Sequence, residues 1–437
     1  MRPRTRFAAV GALATMVALV VQPAASGKPA PLPTTPKSVI LIIGDGMGPA
    51  HLQLSRLMLG TALKVDGFQV NGSVDTLSLD GVTDSAAAAT ALATGEATHN
   101  GWLSVTPTLP APETVLERAE SKDKATGLIT DNTESSATPA AFAVHVPDRD
   151  LDLEITQQIA AKDIEVLFSG NWGESYLIDD AHPDVTYVDN LSELQPYLNG
   201  QTPYPSHMYG FFGSTDLAYN LDREEEGVVG IQPTLPELTR AAFGVLGQDP
   251  DGFFLMVESG VNDWGGHSRD AAWVSAEMAE LNDVVAVALE YQRTHPNVLI
   301  VVTGDHETGG LVLGSKVNLT AIKACTATVE WMWGMIKTAP TAALVRQTLA
   351  TYAGIPITGK GSLSTTEVNM ILANMEMGIA DVLSAREKVY WGWSGSDEGD
   401  HTATPVKVFA NGPWASKFAG TNTNEYIGSQ LISAISN

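Results

Sequence analysis

Five short runs of the chain are apolar on every residue or nearly so, and each stops at a glycine or a polar turn. They are SVILIIG (38–44), ATGLIT (125–130), DIEVLFSG (163–170), GFFLMVESG (252–260) and NVLIVVTG (297–304). A strand with one wet face alternates apolar and polar residues. A strand covered on both faces does not, and such strands belong to largely parallel sheets. Helical segments lie between the runs: SAAAATALA (85–93), APETVLERAESK (111–122), LPELTRAAFGVLG (235–247) and AAWVSAEMAELNDVVAVALEYQRT (271–294). This alternation predicts an α/β fold, a three-layer sandwich with a largely parallel central sheet and helices on both faces. Residues 311–398 break the pattern. They read as helices with few strand signals and predict a mostly helical insertion, in which the Trp-Met-Trp cluster at 331–333 is a packing element.

In open parallel sheets, sites form beyond the carboxyl ends of the strands. Asp45 and Asp305 follow two of the runs and Glu258 ends a third. In GDHETGG, Asp305 and His306 adjoin, a carboxylate and an imidazole of the kind that bind zinc. In VESGVNDWGGHSRD, Glu258, Asp263 and His267 lie within ten residues. Asp263 and His267 share a face if that stretch is one helical turn. Its two adjacent glycines argue instead for an irregular turn that still converges the pair. GDHTATPVKVFANGP adds His401. Together these residues supply at least two sets of hard and borderline ligands.

The stretch GVTDSAAAATALATG (81–95) puts Thr-Asp-Ser before a helix, where one capping side chain would suffice. A hydroxyl there feels the positive end of the helix dipole, in a place that also receives anions. Serine becomes a competent nucleophile only when a base or a metal takes its proton. Ser85 therefore reads as a nucleophile with the helix receiving an anion, the alternative being an N-cap alone. In SATPAAFAVHVPDRD, Arg149 supplies a planar donor suited to gripping phosphate.

The N-terminus carries a basic segment, MRPRTR, then an apolar one, FAAVGALATMVALVV, then small residues at Ala24 and Ser26. It reads as a signal peptide over 1–26, followed by a Pro-rich linker over 27–37 and a catalytic domain over 38–437. The expectation is an exported protein, periplasmic or extracellular, with no membrane anchor. The single cysteine, Cys325, allows no internal disulfide and reads as a small buried hydrophobe. A net charge of −25 disfavours nucleic acid and anionic membranes as partners. His51, His99, His145, His182, His207 and His295 fit no motif and read as structural or exposed.

The motifs LIIGDGMG, VTDSAAAATA, SATPAAFAVHVPDR, FFLMVESGVNDWGGH, TGDHETGG and HTATPVKVFANGP, in this order over about residues 38–413, resemble those of the bacterial, metal-dependent alkaline phosphatases. The resemblance implies hydrolysis of small-molecule phosphate monoesters through a phosphoserine on Ser85. It also implies two zinc ions, one magnesium and a homodimer. By resemblance Asp263, His267 and His401 would hold one zinc, and Asp45, Asp305 and His306 the second. Asp45, Thr138 and Glu258 would hold the magnesium. Arg149 would grip two phosphate oxygens, oriented by Asp84. Two positions depart from the better-known patterns. Ser136 stands where Asp or His often adjoins the magnesium shell. Trp264 stands where Lys or His commonly reaches the substrate, and is expected to loosen the hold on product. Two other readings are a phosphodiesterase or sulfate-ester hydrolase of the same superfamily, and an exported zinc or phosphate binder without turnover. The sulfatase is disfavoured because no Cys/Ser-x-Pro-x-Arg context lies near Ser85.

Overall fold

The computed structural model describes residues 34–108, 110–171, 173–392 and 401–436. The expected signal peptide and the first part of the linker lie outside them. In chain order the strands are β1 (Ser38–Gly44), β2 (Val70–Asp75), β3 (Ala125–Thr133), β4 (Val166–Gly170), β5 (Thr186–Tyr187), β6 (Met208–Phe212), β7 (Phe253–Ser259), β8 (Val298–Gly304), β9 (Glu307–Thr308), β10 (Leu311–Leu313), β11 (Val389–Trp391), β12 (His401–Thr402), β13 (Val406–Asn411) and β14 (Thr421–Thr423). Ten of them form one sheet in the order β14-β2-β13-β8-β1-β7-β3-β4-β6-β5. From β8 to β5 every neighbouring pair is parallel. β13 alone runs antiparallel, against both β8 and β2.

All five apolar runs are strands of this sheet, and β1, β4, β7 and β8 are buried along their whole length. Alternate residues of β1 serve opposite layers. Val39, Leu41 and Ile43 pack with Ala86, Ala89 and Leu92 of the helix Ser85–Thr94, with Phe142, and with Ile427 and Leu431 of the C-terminal helix Asn424–Ser436. Ile40 and Ile42 pack with Leu238 and Leu246 of the helix Leu235–Leu246, and with Val274, Met278 and Leu281 of the helix Ala271–Thr294. The sheet is thus the middle of three layers.

Antiparallel pairing of β10 with β11 closes the insertion at its base. Its helices Val329–Lys337, Ala342–Tyr352 and Thr365–Glu387 bury a core that includes Met332 of the Trp-Met-Trp cluster and is shared with Leu54, Ala271 and Ala272 outside the insertion. Asp270 ties it to the helix Ala271–Thr294. Its Oδ1 caps the helix Ala271–Thr294 at the Ala272 and Trp273 N–H groups, while Oδ2 accepts the Val329 N–H. The helix Thr365–Glu387 is broken at Met375 (φ 55°, ψ −129°). Just beyond the break the chain turns so tightly that a Cβ on Gly378 would sit 2.7 Å from Ile371 Cα.

Candidate active site

Strand register builds the site. Gly44 of β1 pairs with Ser259 of β7 and Gly304 of β8, so three neighbouring strands end at one level. Asp45 and Asp305 emerge just past that level, and Glu258 lies one residue before it. Gly46 follows with φ 69°, and a Cβ there would lie 2.8 Å from Asp263 Oδ1. A residue without a side chain fits this left-handed turn, and its N–H donates to Asp305 Oδ1 at 3.1 Å. The stretch 261–267 is a helix despite its two glycines. Packing explains them: a Cβ on Gly265 would come to 3.1 Å from Val274, and one on Gly266 to 3.0 Å from Thr308. Asp263 and His267 therefore stand on one helix face, with Oδ2 and Nε2 2.9 Å apart.

Asp84, not Ser85, caps the helix Ser85–Thr94. Its Oδ1 accepts the Ala87 N–H at 2.9 Å. Its Oδ2 accepts the Gly101 N–H at 2.9 Å and Arg149 Nη1 at 3.2 Å. The Ser85 hydroxyl, buried at the first position of the helix, is spared that task and lies 3.2 Å from His306 Nε2. The same nitrogen is 3.1 Å from Asp305 Oδ2 and 3.4 Å from Asp45 Oδ1. His401 stacks on His306 with ring centroids 3.6 Å apart, and its Nε2 is 3.7 Å from Asp263 Oδ1. Two sets of ligand atoms each lie within 4.8 Å of one another: Asp263, His267 and His401, and Asp45, Asp263 and His306. Asp263 belongs to both sets and forms the wall between them. Glu258 accepts the Thr130 hydroxyl at 2.5 Å. Trp264 turns its ring edge-on to Tyr219, 6.0 Å between centroids. Ser136 precedes the helix Ala137–Ala143, whose first turn carries Thr138.

The electrostatics of the residues alone are unfavourable. Burial pushes Asp45 well above the ordinary carboxylate range, and Asp305 and Asp263 push it further. Burial, then Asp263, does the same to Asp305. Burial lifts Glu258 to about 7. Asp263 goes the other way: burial is outweighed by the charge and hydrogen bond of His267, which hold its carboxyl far below the usual range. Burial, then His401, keeps His306 neutral.

These groups fit cations. Asp45 Oδ1 and Asp305 Oδ2 are buried and face no donor but the one His306 Nε2 that both share with Ser85, and a buried acceptor left without a donor costs about 1–3 kcal/mol. His401 Nδ1 is 2.9 Å from the Thr83 carbonyl. A carbonyl can only accept, so Nδ1 carries the hydrogen, and in the neutral ring Nε2 turns a lone pair toward the Asp263 carboxylate. A lone pair facing a carboxylate becomes favourable with a metal ion between them.

The family model described as alkaline phosphatase matches residues 36–187 and 157–436. The chain belongs to the alkaline phosphatase family. It is 30% identical to alkaline phosphatase 3 of Bacillus subtilis over 431 residues, covering 91% of this chain and 89% of that one. It is 29% identical to alkaline phosphatase 4 of the same organism, covering 89% and 86%. The cold-active alkaline phosphatase of a psychrophilic Shewanella superposes with a TM-score of 0.79 at 27% identity, over 91% of this chain and 99% of that one. The Thermus thermophilus alkaline phosphatase has a TM-score of 0.80 over 92% of each chain at 22% identity, a likeness of fold. As in its family, the chain is a metal-dependent hydrolase of phosphate monoesters.

Several supporting residues carried no sequence signal of their own. Thr308 donates its hydroxyl to Asp263. Asn262 Nδ2 holds the Asp45 carbonyl at 2.6 Å, and Asn424 Nδ2 holds the Asp305 carbonyl at 3.0 Å. Thr308 sits two residues after His306 and Thr130 ends the run ATGLIT, so a search for hydroxyls beside strand ends would have found them. Asn424 lies 119 positions from Asp305, and only the fold connects the two.

Proposed function

We propose that monoester hydrolysis here proceeds through a covalent phosphoserine on Ser85. One observation carries the reading: Asp84 takes over the helix cap and leaves the buried Ser85 hydroxyl beside His306 Nε2, the nitrogen that also faces Asp45 and Asp305. Arg149, pinned through Nη1 to Asp84, presents the rest of its planar fork to two phosphoryl oxygens. The N-terminus of the helix Ser85–Thr94 adds its backbone dipole to the same anion. The Ser85 Oγ–P bond forms as the bond from phosphorus to the ester oxygen breaks, and the alcohol departs. Water then attacks phosphorus, the Oγ–P bond breaks, and Ser85 recovers its proton as inorganic phosphate is released. Two zinc ions, on Asp263, His267 and His401 and on Asp45, Asp305 and His306, with a magnesium on Asp45, Thr138 and Glu258, would supply Lewis-acid stabilisation of the entering and leaving oxygens.

The rest of the reading is compatible with this chemistry. Residues 1–26 are assigned as an export signal and 27–37 as a linker. Residues 38–437 are the catalytic domain, which carries the 311–398 insertion and pairs as a homodimer. No helix among the described residues is long and apolar enough to cross a membrane. Acid quenching during turnover of a 32P-labelled monoester tests the central step. Wild type is expected to trap label as acid-stable phosphoserine, and Ser85→Ala to trap none and to lose most turnover. Near-wild-type turnover in the alanine variant would rule the covalent route out.

A further inference from the structure

Behind the active site, on the far side of β3, three acidic side chains meet in the interior. Glu277 and Glu280 project from the same face of the helix Ala271–Thr294, and Asp131 comes from β3. One carboxylate oxygen from each lies within 4.8 Å of the other two. Asp131 and Glu277 are 3% and 0% exposed. Asp131 Oδ1 is engaged: it accepts the Gly260 N–H at 2.5 Å and the Val261 N–H at 3.1 Å. Its Oδ2 is buried and has no hydrogen-bond partner. Among the charges around Asp131, Glu277 weighs most.

Neutralisation by protein groups is incomplete. Asn220 Nδ2 is shared between Glu277 Oε2 at 2.5 Å and Glu280 Oε2 at 2.6 Å, the Asn220 N–H donates to Glu277 Oε1 at 2.9 Å and the Leu235 N–H to Glu280 Oε1 at 3.2 Å, all donors without a full charge. Arg223 offsets part of the charge on Glu280, but its guanidinium is spent on oxygens of Gln232 and Pro233. Three carboxylates around one buried unpaired oxygen make a ligand set of oxygen alone. Such a set selects a hard cation.

We propose that Asp131, Glu277 and Glu280 form a calcium site, separate from the metal set of the catalytic centre. Calcium rather than magnesium follows from the cage. Magnesium keeps much of its water and takes one or two carboxylates, whereas calcium accepts several protein oxygens in irregular geometry. Rotating the Asn220 amide would turn its oxygen inward as a fourth ligand. A surface cleft of about 640 Å³, lined by Asn220, Glu280, Glu237, Asp283 and Arg240 among others, opens beside the Glu280 end of the cluster. The site has a structural consequence. Gly260 and Val261 begin the helix that carries Asp263 and His267, and their N–H groups rest on Asp131. A cation on Asp131 Oδ2 would fix that helix from behind.

Equilibrium dialysis of the zinc- and magnesium-replete protein against 45Ca2+ in excess magnesium tests the site. Wild type is expected to retain one calcium per chain, with zinc content unchanged and the Gly260 and Val261 amides exchanging hydrogen more slowly. Glu277→Gln and, independently, the less buried Glu280→Gln are expected to lose the calcium. No retained calcium in wild type, stripping by magnesium, or full retention in both variants would overturn the assignment. The wild-type measurement stands whether or not either variant folds.

Discussion

At the scale of single residues, the division of labour between Asp84 and Ser85 decides what the helix mouth can do. A carboxylate that caps a helix, holds the Gly101 N–H and orients Arg149 is committed on both oxygens, and the serine beside it has no cap to make and faces His306 instead. Trp264 is the residue-level departure with a measurable effect. It offers one N–H and no charge where a lysine would add a positive charge near bound phosphate. Phosphate release often limits an enzyme whose product occupies the same groups as its substrate. Trp264→Lys is therefore expected to tighten inhibition by phosphate by about 1 kcal/mol, the scale of a solvent-screened charge contact, and to lower turnover. The edge-on contact with Tyr219 is lost in the exchange, at a cost to stability of about 0.5–1.5 kcal/mol. Inhibition constants measured at saturating zinc decide the matter. A constant no lower than wild type would make Trp264 a packing residue for the helix Val261–His267 and nothing more.

At the scale of elements, the helix Val115–Glu120, the end of the helix Ala137–Ala143 and Lys162 are joined through Glu117. Its carboxylate meets His145 Nε2 at 3.1 Å and Lys162 Nζ at 2.6 Å. Burial acts to raise its pKa, but the His145 and Lys162 hydrogen bonds prevail and hold it at about 2. The same bond to Glu117 raises His145 above its ordinary 6.5. The signs are opposite. The Glu117 contribution is present above its unfolded value of 4.5 and fades as pH falls toward 2, whereas that of His145 is complete below 6.5 and fades as pH rises through its raised value. Glu117→Gln is thus expected to destabilise most between these two limits, by about 1 kcal/mol for a half-buried, screened cluster. A melting difference from wild type that does not vary between acid and neutral pH would contradict the linkage. The elements also show what the sequence could and could not reveal. β1, β3, β4, β7 and β8 were legible because strands covered on both faces must be apolar throughout. β2 (VNGSVD) and β13 (VKVFAN) sit toward one edge of the sheet and include polar residues. β2 depends on pairing partners 332 or more residues away in the chain, such as Val74 with Val406, and β13 on partners 105 or more away. The helix Val261–His267 was masked by glycines whose reason is close packing against Val274 and Thr308. The aspartates and histidines at strand ends were legible as a site, whereas Asn424 and Thr83 act through distant backbone carbonyls and carry no local pattern.

At the scale of the whole molecule, the chain combines a net charge of −25 with carboxylates buried in its centre and no disulfide. Burial raises Asp45 and Asp305, and lifts Glu258 to about 7. Away from the catalytic centre it lifts Glu134 to about 7 and Glu387 to about 8. A carboxyl whose folded pKa exceeds its unfolded one stays protonated in the native chain while the unfolded chain ionises. Stability then falls as pH rises from the unfolded value through the folded one. The metal-free protein is accordingly expected to melt at progressively lower temperature from about pH 5 to pH 8. Cations held by Asp45, Asp305 and Glu258, as proposed above, would remove that penalty, because the ionised form is the one that binds. Binding to the native state alone adds about 2.7 kcal/mol for each site at a hundredfold excess over its dissociation constant. Chelation should therefore lower the melting temperature, and the drop should be larger at pH 8 than at pH 5. Glu134 and Glu387 lie outside the catalytic centre and leave a residual downward slope even in the metal-loaded protein. Calorimetry of the loaded and chelated protein at the two pH values measures both quantities. A chelation effect that is equal at pH 5 and pH 8, or greater at pH 5, would mean that the buried carboxyls are neutralised by something other than the cations they surround.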